Sequence, residues 1–71
     1  MECKVIAHVE GEIVFQHEQE VLGDGWHETI DKAKKVAEEW SRNGLWTIGS
    51  GQSTLYPPHR IIRVIVKWPK T

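Results

Sequence analysis

Only one segment of this 71-residue chain has the period of a helix. Trp26, Ile30, Ala33, Ala37 and Trp40 recur at alternating spacings of four and three, which makes one apolar stripe along about four helical turns. Gly23-Asp24-Gly25 precedes the stripe and offers Asp24 as the cap. Asn43-Gly44 ends it, Gly44 suiting the left-handed conformation that follows a helix. The opposite side sets Glu28 before Lys32, Asp31 before Lys35 and Glu38 before Arg42, each acid four residues ahead of its base, the favourable order for surface pairs. Everything else reads as strand or turn. One helix covers one face of a sheet, so the second face needs another use.

Lys4 to Glu10 and Glu12 to Val21 are β-rich runs separated by little more than Gly11, which predicts a hairpin with Glu10 and Gly11 as its turn. A two-residue turn there sets Ile6 opposite Phe15 and His8 opposite Ile13. After the helix, Leu45 to Ile48 is a short strand, Gly49 to Ser53 a turn, and Thr54 to Tyr56 an optional return before Pro57-Pro58 removes backbone donors. Arg60 to Trp68 is the strongest strand. Ile62, Val64, Val66 and Trp68 form one apolar face, while Ile61 and Ile65 alternate with Arg63 and Lys67 on the other. The expectation is a single α+β domain over residues 1–71, in the order β-β-α-β-(β)-β, with one amphipathic helix on a small antiparallel sheet.

With one helix, apolar strand positions are left over. A chain of this length buries only about 60% of its unfolded surface, and a lone Cys3 excludes any internal disulfide. A wet apolar sheet face forfeits roughly 25 cal/mol per Å², so the sequence predicts a homodimer or larger ring through the uncovered face or a sheet edge. Val5, Ala7, Val9, Val14, Ile61 and Ile65 are the expected interface, with Ile6, Ile13 and Phe15 as the alternative set for the same face.

The formal charge of −1 hides an uneven arrangement. Residues 1 to 39 hold all ten acids against four lysines, a balance of −6, whereas residues 40 to 71 hold five bases and no acid. Such asymmetry marks a surface for an acidic partner or nucleic acid, or else a basic strand laid beside an acidic one within a sheet, the arrangement favoured here. No apolar run approaches a membrane span, and Met1-Glu2-Cys3-Lys4 does not open a signal peptide, so the expected location is cytoplasmic.

No motif points to catalysis or to a cofactor. His8 and His17 are predicted to lie about 13 Å apart on the hairpin, too far to share a zinc ion, and no metal site is expected. Ser50 and Ser53 have no strand-to-helix elbow around them, Cys3 has no neighbouring base, and Glu38-Glu39 sit on the solvated helix side. A domain this small is expected to lack a pocket of about 300 Å³ unless subunits form one together. Gly49-Ser50-Gly51 lacks the lysine and following helix of a phosphate loop and reads as a hairpin turn.

Leu55-Tyr56-Pro57-Pro58-His59-Arg60 is the candidate site. Two prolines stiffen the backbone beneath an aromatic ring, an imidazole and a guanidinium, residue types suited to protein hot spots, base stacking or phosphate contact. The alternative is a stiff crossover in which Tyr56 packs on the core and Arg60 pairs with a strand acid. The run Tyr-Pro-Pro-His-Arg-Ile, leading into an aliphatic last strand behind a ββα unit, resembles small accessory proteins of phages and prophages over about the last third of the chain. That resemblance implies a compact, non-catalytic inhibitor that binds a host factor, including defence proteins or their nucleotide signals. The expected function is a non-enzymatic binding module that occludes a host protein, through Tyr56, His59, Arg60 and Arg63 with Trp46 beside them. Two alternatives stand beside it, a nucleotide or single-stranded nucleic-acid binder using the acid-free half, and a subunit whose partner is itself.

Overall fold

The computed structural model describes residues 1–69, and Lys70, counted above among the bases, lies outside them. The chain is α+β. Strands β1 (Glu2–Glu10) and β2 (Val14–Leu22) precede helix α1 (Trp26–Asn43), then come β3 (Leu45–Gly49), β4 (Gln52–Tyr56), a short 3-10 turn (Pro58–Arg60) and β5 (Ile61–Lys67). The optional fourth strand forms. It does not join the main sheet: β2, β1 and β5 make an antiparallel three-stranded sheet with β1 in the centre, and β3 and β4 make a separate two-stranded one.

The core lies between α1 and one sheet face. Cys3, Val5, Ala7 and Val9 alternate along β1 onto that face, joined by Val21, and they meet Ala33, Trp40 and Leu45. Phe15, Ile61, Val64 and Val66 complete the layer from the flanking strands.

The first hairpin differs from the two-residue turn expected. Glu10 pairs with Val14, leaving Gly11, Glu12 and Ile13 as the loop, and Val9 lies opposite Phe15. This displaces β2 by three positions from the two-residue register, and an odd displacement exchanges its faces. Phe15, His17 and Val21 therefore share the helix side with β1's odd residues, while Ile13 sits 76% exposed in the loop.

That register also corrects the expected interface. Val5, Ala7 and Val9 are 0% exposed beneath α1 and offer nothing to a second subunit. Ile61 belongs to the core side as well, because a bulge pairs Arg63 with His8 but Ile61 with Val9, pushing Ile62 out to 57% exposure. Of that set, Val14 and Ile65 remain on the open face. The open face is mostly polar, carrying Lys4, His8, Gln16, Glu18, Glu20, Arg63 and Lys67 by alternation, and its central Ile6 is only 7% exposed. One polar face is ordinary for an antiparallel sheet.

The helix starts from Gly25, in extended conformation, and not from an Asp24 cap. Thr29, fully buried, donates its hydroxyl to the Gly25 carbonyl at 2.6 Å. Its buried side is Thr29, Ala33 and Trp40, with Ile30, Val36 and Ala37 half-buried, while Trp26 is exposed. Glu28 and Lys32 pair at 3.3 Å, whereas Asp31–Lys35 and Glu38–Arg42 do not form ion pairs. Gly44 then turns the chain with φ +89°, its N–H reaching the Trp40 carbonyl. A side chain there would lie 2.5 Å from the Tyr56 carbonyl oxygen, so only glycine fits.

Candidate functional site

Gly49 pairs with Gln52 across a two-residue turn, Ser50-Gly51, so β3 and β4 form a tight ribbon. Alternation divides its side chains. Leu45 and Tyr56, paired at its base, turn towards the core, Leu45 being 2% exposed. Trp46 and Leu55, the next pair, turn the other way at 63% and 43% exposure, and Ile48 beyond them is 88% exposed. Both ribbon strands pack chiefly on each other. The molecule is accordingly long, 37 × 25 × 20 Å, with a radius of gyration of 12.8 Å where about 11 Å is usual for a compact chain of this size.

The ribbon is anchored at its base. The ring of Tyr56 meets that of Phe15 edge-on, with centroids 5.1 Å apart. Arg60 approaches Glu10 at 3.8 Å, both half-exposed. These two contacts are those of the stiff crossover. The five expected contact residues consequently do not form one patch. Tyr56 and Trp46 occupy opposite faces of the ribbon, His59 and Arg60 sit in the 3-10 turn, and Arg63 stands opposite His8 on the sheet's open face. Ile48 lies outside the expected site, and Leu55 belongs to the candidate segment without being one of its five contact residues; the alternation of Leu45 and Thr47 against Trp46 and Ile48 is the signal that finds the outward face once Leu45 is taken as inward.

The charged halves do not face each other as expected. β1 separates basic β5 from acidic β2, placing them about 10 Å apart; Lys67 stands opposite Lys4, and Glu20 lies on Lys4's other side. The open face still mixes both signs, with Glu2, Glu10, Glu18 and Glu20 against Lys4, Arg63 and Lys67. A phosphate backbone would meet four acids against three bases there.

His8 and His17 lie on opposite sheet faces, the imidazole of His17 packing edge-on to Trp40 at 5.6 Å. Among the described residues no group of three His, Cys, Asp or Glu is arranged to hold a metal ion, and Cys3 is buried. A depression of about 590 Å³ lies by the helix start, between Glu2, Leu22, Asp24, Glu28 and Lys32, larger than the size of the domain suggested but open to solvent along the surface. No helix among the described residues is long and apolar enough to cross a membrane.

The chain matches no protein-family model, no curated protein and no solved structure. On the outer face of the β3–β4 ribbon three large apolar side chains, Trp46, Ile48 and Leu55, stand aligned and away from the core.

Proposed function

We propose that this chain is a non-enzymatic protein-binding module that presents the outer face of its β3–β4 ribbon to a partner. The observation that carries this reading is the Trp46–Leu55 cross-strand pair, extended by Ile48, exposed on a projecting ribbon. Three such side chains in solvent are unfavourable at about 25 cal/mol per Å², and a ribbon that packs mainly on itself gives them no role in the core. Tryptophan is among the residues most enriched at binding hot spots, and a narrow ribbon can enter a cleft that a flat sheet cannot. The partner surface that fits is an apolar cleft on a protein, and occluding it is the inhibitory mode implied by the phage-type resemblance. Tyr56 supports the ribbon from below and is not a contact residue in this reading.

A photo-crosslinking amino acid at position 48, compared with one at the exposed helix position 39, tests this in a lysate of the source organism. Capture of one defined protein from position 48 alone is expected. With that protein purified, Trp46→Ala should weaken binding by about 30-fold or more. Equal capture from both positions, or unchanged affinity, would sink the assignment.

A further inference from the structure

We propose that the outer edge of β5 pairs with β5 of a second copy of this chain, about a two-fold axis near Val64. Two observations lead there. The first is the contrast between the two edges of the main sheet. β2 is guarded by Gln16, Glu18, Gln19 and Glu20, the charged and polar residues that keep an edge from pairing with a neighbour. β5 reads Ile61-Ile62-Arg63-Val64-Ile65-Val66-Lys67, with Val64 and Val66 half-buried on the helix side and Ile65 half-buried on the open side. A strand aliphatic on both faces has the composition of a sheet's centre, yet β5 pairs only with β1 among the described residues.

The second observation is charge. A groove of about 530 Å³ runs beside this edge, lined by Ala37, Glu38, Ser41, Arg42 and Val64. Glu38 and Arg42 are one turn apart and suitably ordered to pair, but they form no ion pair with each other. A two-fold axis perpendicular to the sheet at Val64 runs the two helices antiparallel. It brings Glu38 of each copy to Arg42 of the other, a self-complementary arrangement.

The dimensions and register agree. Because α1 packs on both β5 and β1, the helices of the paired copies lie about two strand spacings apart, about 10 Å, the usual distance of packed helices and one that a glutamate and an arginine span. Centring on Val64 sets Arg63 opposite Ile65 of the other copy, whereas centring on Ile65 sets Arg63 opposite Lys67 twice, a like-charge opposition. The product is one six-stranded sheet with the guarded β2 strands outermost. This surface is separate from the ribbon, so each proposal stands or falls alone.

Sedimentation velocity of the full chain from about 5 to 500 µM tests it, with wild type expected to pass from monomer to dimer. Glu38→Arg and Arg42→Glu each replace two attractions by two like-charge contacts and should weaken the dimer by about tenfold. The combined swap Glu38→Arg/Arg42→Glu should restore it to within about threefold. Both positions are exposed on the helix, and circular dichroism checks that each variant folds. Trp46→Ser/Ile48→Ser should leave the dimer unchanged. A wild type monomeric at about 500 µM, single variants without effect, a swap that fails to restore pairing, or a dimer lost with the ribbon substitutions would each overturn the proposal.

Discussion

Tyr56 closes on Phe15 edge-to-face at 5.1 Å, and this contact ties the base of the β3–β4 ribbon to the first hairpin. Tyr56→Ala removes the pair together with part of the core layer, and should lower the unfolding free energy by about 2 kcal/mol in urea titration. Tyr56→Phe keeps the ring and should change it by less than about 0.5 kcal/mol. A double-mutant cycle with Phe15→Leu should return a coupling of about 1 kcal/mol.

The connection from α1 to β3 depends on Gly44, with φ +89° and the Tyr56 carbonyl oxygen against its Cα. Gly44→Ala should cost about 2 kcal/mol or more, measured by thermal or urea unfolding. Asparagine, which rescues many left-handed caps, should fail here because its Cβ meets the same carbonyl oxygen.

Thr29 is a buried polar side chain, held by its hydroxyl bond to the Gly25 carbonyl at 2.6 Å. Thr29→Val preserves the shape and loses the bond, at about 1 kcal/mol. Thr29→Ala also opens a void and should cost about 2 kcal/mol, so the order of the two midpoints separates the hydroxyl's contribution from the methyl's.

Leu45 and Ile48 are three residues apart in one strand with opposite environments, 2% and 88% exposed. Leu45→Ala should lower stability by about 3 kcal/mol in the same titration. Ile48→Ser should stay within about 0.5 kcal/mol while weakening binding to the purified partner by about tenfold.

Cys3, 1% exposed, gives a direct readout of opening. Its thiol should react with a disulfide reagent orders of magnitude more slowly in the native protein than in about 8 M urea, with a native rate set by the opening equilibrium.

The helix, its end at Gly44, the long last strand and the α+β class follow from local rules acting on neighbouring residues, and they are visible in the sequence for that reason. The start of the helix is less visible. Asp24 has the chemistry of a cap, but the buried hydroxyl of Thr29 belongs to the tertiary fit and does not stand out in a pattern of apolar spacings.

Tertiary structure alone decided which side of each strand is inside. One extra residue in the first loop exchanges the faces of β2, and one bulge at Ile62 transfers Ile61 to the core; neither changes the composition of either strand. The same holds for the candidate surface. The sequence determined that Trp46 and Tyr56 lie on the two strands of a short hairpin, but their opposite directions depend on Leu45 being the residue that reaches the core. It likewise determined an acidic first half and a basic second half, while only the strand order placed β1 between acidic β2 and basic β5, because charge is a property of residues and its neutralisation is a property of which strands are neighbours.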